Sequence, residues 1–281
     1  MVDAKENLDD YYHLMKSVSR SLQLRLLTAA IGMPILLLLI WVGNWPFAVV
    51  AGLVTFGGTI EFVRGWLFPE ASLKETLRIW PLLLLPAVMV AGVYFEVRFL
   101  LAGAILAILF LAAGLIGFPK KINKPYLVIA SSIIYPAMFF STFVLTRGLT
   151  DGKWLVLLII LATFTVDTGA YLAGSRWGKH KLAPKISPNK TWEGVLGGIL
   201  GGVVAVLVLN VILDLEFRTW QLITLTLLLP LTAQLGDLAE SWMKRRMNLK
   251  DSSGLLPGHG GLLDRLDSIV FVSVLVYLVA L

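Results

Sequence analysis

Asp237, Glu240, Ser241 and Lys244 fall at i, i+3, i+4 and i+7, so a helix would carry all four on one face. Asp264 and Asp267, three residues apart with Arg265 beside them, would share a face in the same way. Thr163, Asp167 and Tyr171 repeat the register further upstream, where Asp167 either joins a site or bonds a neighbouring helix. The chain has no cysteine, and its three histidines (His13, His180, His259) are scattered, which excludes a thiolate metal site and argues against zinc. Carboxylate oxygens suit Mg2+, which takes one or two of them and completes its shell with water and phosphate. The chemistry expected from these residues is that of a phosphate substrate.

The loop between the two carboxylate pairs agrees. Lys244, Arg245, Arg246, Lys250, His259 and Arg265 supply phosphate donors, Arg as a bidentate fork and Lys as a point charge. Between them runs Ser253-Gly254-Leu255-Leu256-Pro257-Gly258-His259-Gly260-Gly261, whose glycines allow close backbone approach to a ligand ahead of a helix start near Asp264. A second basic loop leads into Ser187-Pro188-Asn189-Lys190-Thr191-Trp192-Glu193-Gly194, where Ser187 and Pro188 predict an N-cap and a first helical residue. Lys190 there is either a second phosphate contact or a charge that sets topology.

These groups must be positioned by membrane helices. The chain is 57% hydrophobic and 15% charged, against about 25% charged in soluble domains. Long apolar runs recur throughout, each able to cross a hydrocarbon core of roughly 30 Å as a helix. The expected fold is all-α: a polytopic integral membrane protein of about nine spans, at 26–44, 46–67, 79–96, 98–118, 126–146, 154–175, 192–213, 220–243 and 266–281. Residues 1–25 carry Leu8, Tyr11, Met15, Val18 and Leu22 at helical spacing, as an interfacial amphipathic segment or a frayed tail, and their acidic start is unlike a cleavable signal peptide. Residues 26–153 then form spans one to five, and 154–281 a catalytic region with loops 176–191 and 244–265. With the N-terminus cytoplasmic, that side holds 19 of the 24 Lys and Arg residues, the orientation that the positive-inside rule favours. The net charge of +6 is explained by these loops and by anionic headgroups, so no nucleic-acid partner is expected. In span two, Glu61 and Arg64 are spaced to form an ion pair. In span seven, Gly194, Gly198 and Gly202, with Gly197 and Gly201, predict close helix packing and permit a homodimer.

Ser241-Trp-Met-Lys244-Arg245, Lys250-Asp251, Pro257-Gly-His259-Gly260-Gly261 and Asp264-Arg265-Leu-Asp267 together resemble the signature of the phosphatidate cytidylyltransferases. The stretch runs over about 27 residues without a departure, and Asp167 and the Ser187 to Gly194 segment are also similar to that family. The resemblance covers roughly 160–281 and implies a reaction in which CTP and phosphatidic acid give CDP-diacylglycerol and pyrophosphate at the cytoplasmic face of the membrane; a bacterial inner membrane is the expected setting. It implies Mg2+, one ion or two. Asp237 and Asp264 are the implied leading ligands, with Asp267 and Asp251 as further carboxylates near the metal or triphosphate. Lys244, Lys250, His259 and Arg265 are implied in phosphate binding, and Asp167, Ser187, Lys190, Ser241, Arg245, Gly260 and Gly261 in substrate contact. A CTP-dependent polyprenol kinase is the alternative at this level of resemblance. A transporter of phosphorylated anions is disfavoured by the lack of inverted repeats.

Overall fold

The computed structural model of the protein describes residues 30–67, 80–117, 128, 130–249, 253 and 261–281. The segment expected to be amphipathic, 1–25, lies outside them, as do Lys250, Asp251, His259 and Gly260. Helices α1 (Ala30–Val42), α2 (Asn44–Leu67), α3 (Trp80–Val93) and α4 (Arg98–Gly117) come first. Then follow α5 (Phe139–Gly148), α6 (Gly152–Trp177), α7 (Trp192–Ile212), α8 (Thr219–Arg246) and α9 (Asp267–Ala280).

Of these, α2, α6, α7 and α8 are long and apolar enough to cross a membrane, and α1, α3, α4 and α9 contribute shorter apolar helices among the described residues. Large apolar side chains face outward over much of the surface, for example Leu196, Leu200 and Val211 along α7 at 61%, 67% and 76% exposure. So much contiguous apolar surface is stable only in lipid, which identifies an integral membrane protein.

Two local features depart from the plain helices expected. The fifth span contains a π-helical turn at Ile133–Met138, preceded by α-helical residues 130–132 and with Pro136 inside it, because proline offers no N–H to the ordinary ladder. The loop after α6 is not all helix and coil: β1 (Lys181–Ala183) and β2 (Ser187–Thr191) pair antiparallel, Lys181 opposite Thr191 and Ala183 opposite Ser187. Ser187 and Pro188 are therefore strand residues and not the start of α7. The cap is Thr191, in extended backbone, whose hydroxyl accepts from Gly194 N at 3.1 Å.

Helix α6 is the inner strut: Leu158, Ile159, Ala162, Thr163 and Val166 are fully buried. The glycines of α7 are what let it close on α6. A Cβ at Gly197 would lie 2.6 Å from the carbonyl oxygen of Gly169, and one at Gly194 would lie 2.9 Å from that of Ala170. The glycine face of α7 thus packs within the chain, and leucine and valine face outward. Helix α9 is held from both sides, by Gln221 Nε2 of α8 donating to Val279 O at 2.8 Å and by the buried pair of Thr142 and Ser273 hydroxyls.

Candidate active site

The hairpin is locked to the helix it precedes. Trp192 N donates to His180 O at 2.9 Å, and Glu193 meets His180 Nδ1 at 2.6 Å. From the far side, Arg245 Nε at the end of α8 donates to Ile186 O at 3.1 Å, and its Nη1 to Leu249 O at 3.2 Å. Arg245, expected at substrate, is thereby placed where it ties the hairpin to α8.

This lock presents Lys190 to α8, where its Nζ lies 2.6 Å from Asp237 Oδ2. Ser241, one turn further along, points its hydroxyl at Asp237 Oδ1 across 3.4 Å, a long and weak contact. Asp237 and Lys190 line a cavity of about 420 Å3 together with Asp167, Tyr171, Gly174 and Ser175 of α6, Asn189 and Thr191 of β2, and Gln234 of α8. Asp167 is thus a cavity residue and not a buried helix-to-helix bond. Gln234 is fixed by donating to Val195 O at 3.1 Å. A cavity of this size matches small-molecule pockets, and its floor of facing carboxylates and an ammonium is suited to a charged ligand.

A second ion-paired group lies two turns along α8. Lys244 Nζ is 2.8 Å from Asp264 Oδ1 and 3.2 Å from Glu240 Oε1, with all three side chains largely buried. The Glu240 contact has ion-pair distance without hydrogen-bond geometry, so both Glu240 oxygens lack a hydrogen-bond partner among the described residues. Asp264 Oδ2 accepts from Gly261 N at 3.0 Å. Asp264 does not share a helix with Asp267: it sits in a 3-10 turn, Leu263–Arg265, and α9 starts at Asp267. The turn aims Asp264 at Lys244 and leaves Arg265 exposed. Asp267 Oδ1 accepts from Ser268 N at 2.7 Å.

Gly236 brings α8 onto the first turn of α9, where a Cβ would meet Asp267 O at 2.9 Å. Asp237 follows directly, and its carboxylate repels those of both Asp267 and Asp167. That mutual repulsion is the electrostatic condition under which a divalent cation is welcome, and the donors are the hard oxygens that Mg2+ prefers. Among the described residues, no three His, Cys, Asp or Glu side chains gather into one closed ligand set. The arrangement fits an ion held by one or two carboxylates, with water and phosphate oxygens as its other ligands.

One buried carboxylate has partners that helical spacing does not reveal. Glu61, buried in α2, accepts from Leu262 N at 2.8 Å, from Leu263 N at 2.9 Å and from the Ser253 hydroxyl. The signal was present, since a carboxylate in the middle of an apolar span is costly and needs a reason. Its partners, about two hundred residues away, could not be read from helical spacing.

The model of the cytidylyltransferase family matches residues 23–281. Phosphatidate cytidylyltransferases of Staphylococcus epidermidis and Staphylococcus aureus are each 45% identical to the chain over 141 residues, 50% of this chain and 54% of theirs. That of Staphylococcus haemolyticus is 44% identical over the same length. The aligned chain thus spans about half the length of the curated relatives it matches. Because the family match also takes in the N-terminal helices, which carry no signature of their own, the chain as a whole belongs to the cytidylyltransferase family.

Proposed function

We propose that the protein is a phosphatidate cytidylyltransferase, which transfers CMP from CTP to phosphatidic acid. The observation that carries this reading is the pair of Lys–Asp contacts along α8, Lys190 with Asp237 in the cavity and Lys244 with Asp264 two turns further on, in a membrane protein of this family. In the reaction a phosphate oxygen of the lipid bonds to the α-phosphorus of CTP, the bond from that phosphorus to the β-phosphate bridging oxygen breaks, and pyrophosphate leaves. Both reactants are anions, so their approach needs positive charge fixed in advance.

Lys190 and Lys244 supply that charge, and each can exchange a carboxylate partner for a phosphate oxygen without moving far. Asp237 is the first candidate to hold Mg2+, with Asp264 and Asp267 as further carboxylates. When bound, the ion would neutralise the triphosphate and stabilise the leaving pyrophosphate. No side-chain nucleophile is required, because the lipid phosphate is already ionised. Asp167, Tyr171, Asn189 and Gln234 would contact the substrate that enters the cavity. Lys250, Asp251, His259, Arg265 and Gly260 would complete the phosphate-binding side.

The topology that supports this chemistry has nine spans, the N-terminus in the cytoplasm of a bacterial cell and the site at the inner face of the inner membrane, where CTP is available. The test is transfer by purified protein in nanodiscs containing phosphatidic acid. Label from α-labelled CTP is expected in the lipid, with pyrophosphate released. Label entering the lipid only from the γ-position would instead establish a lipid kinase.

A further inference from the structure

Helix α2 belongs to the N-terminal half of the chain, yet it provides the carboxylate on which the Asp264 turn rests. Glu61 is 4% exposed, and both its oxygens accept hydrogen bonds: Oε1 from Ser253 Oγ and Leu262 N, and Oε2 from Leu263 N. Two consecutive backbone N–H groups on one carboxylate fix the direction in which the 3-10 turn Leu263–Arg265 leaves. The turn is seated on α2 by packing as well, since the Leu263 side chain lies against Gly58, one helical turn before Glu61, where a Cβ would be 3.0 Å from it. Asp264, next in sequence, then meets Lys244 at 2.8 Å.

We infer that Glu61 is a positioning residue for nucleotidyl transfer: it touches no substrate, and it sets the placement of Asp264 against Lys244 by accepting from the backbone of the turn. This rests on the transferase reading of the Asp264–Lys244 pair. The role requires acceptors on both oxygens. A carboxamide would set an N–H against a backbone N–H, and a buried donor left without an acceptor is costly.

The absence of cysteine allows a test that does not depend on activity. A single cysteine in place of Leu262 reports on the turn through its rate of alkylation by a water-soluble maleimide, and one in place of Glu216, exposed in the α7–α8 loop, serves as control. Glu61→Gln is expected to accelerate alkylation at position 262 about tenfold, to leave position 216 unchanged, and to lower kcat for CMP transfer by about tenfold or more. Glu61→Asp keeps two acceptors on a shorter arm and is expected to fall between Glu61→Gln and the wild type. Alkylation at 262 that is unchanged in Glu61→Gln overturns the proposal whatever the activity does. So does faster alkylation with wild-type kcat, or Glu61→Asp no faster in transfer than Glu61→Gln. Should Glu61→Gln fail to accumulate in the membrane, Ser253→Ala removes one donor from the same carboxylate. Partial acceleration at 262 then supports the role, and a wild-type rate overturns it. Wild-type protein that transfers no CMP refutes the functional reading alone, because the alkylation arm still decides what Glu61 does.

Discussion

Asp237 and Lys244 lie on one face of α8, two turns apart, and each is paired off the helix with a residue of opposite sign: Asp237 with Lys190 at 2.6 Å and Lys244 with Asp264 at 2.8 Å. One rigid helix therefore fixes the separation between an acid presented to a base and a base presented to an acid. A ligand that carries both a divalent cation and phosphate oxygens can satisfy both at once, the cation at the aspartates and the phosphates at the lysines.

Asp237→Asn and Asp264→Asn test the two ends of this arrangement. Each amide keeps the volume of the side chain and removes its charge, so Lys190 loses the ionic partner it has in Asp237, or Lys244 keeps only Glu240, in a partly buried setting. Loss of preorganised charge typically costs about 100-fold to 1,000-fold in rate. CMP transfer is expected to fall by at least about 100-fold in each variant, with membrane insertion and monodispersity in detergent intact. Wild-type transfer in the double variant would remove both residues from the chemistry.

Lys190→Met should behave differently from Lys190→Arg. Methionine preserves most of the aliphatic stem and leaves Asp237 facing the cavity uncompensated, so CTP binding is expected to weaken by about tenfold, close to the loss of one charge-assisted contact. Arginine restores the charge but not the compact ammonium geometry, and partial recovery is expected. Equilibrium binding of CTP to the two variants in nanodiscs measures the difference.

Metal dependence follows from the donor set. Among the described residues the ion-pair partners of the two lysines are carboxylates, so chelation of divalent cations is expected to abolish transfer, and Mg2+ to restore it fully. Zn2+, which favours nitrogen and sulfur ligands, should restore little. Transfer that persists in excess chelator would leave charge neutralisation to the basic side chains without a metal.

Much of this was legible in the sequence because membrane helices announce themselves locally. Span seven, expected at 192–213, is Trp192–Ile212, and span two, expected at 46–67, is Asn44–Leu67. Span eight runs one turn longer than its hydropathy indicates, to Arg246, since Lys244, Arg245 and Arg246 suit the negative end of a helix dipole. The stripe from Asp237 to Lys244 was legible for the same reason: it depends only on the helical repeat. The hairpin was not, because Lys181–Ala183 and Ser187–Thr191 are too short to show apolar alternation, and the second is polar throughout apart from its proline. Nor was the split between Asp264 and Asp267. Their spacing is compatible with one helix, whereas the 3-10 turn that carries Asp264 begins at Leu263, whose N–H is bonded to Glu61, far away in sequence.

The α6–α7 contact yields a prediction with an internal control. Gly197→Ala places a Cβ 2.6 Å from Gly169 O and 2.3 Å from the Ala173 Cβ, and neither backbone nor a methyl group can rotate aside. Overpacking of this kind costs about 1–3 kcal/mol, here by forcing α7 away from α6. The same displacement widens the cavity that Gly174 and Gly194 line between those helices, so transfer should weaken along with stability. Gly32→Ala in α1 is the control, because a Cβ there meets nothing within 4 Å and alanine is the better helix former. Thermal midpoints in detergent at one scan rate are expected to fall for Gly197→Ala and to hold or rise for Gly32→Ala. Equal behaviour of the two would mean that the close approach of α6 and α7 is not what holds the cavity in shape.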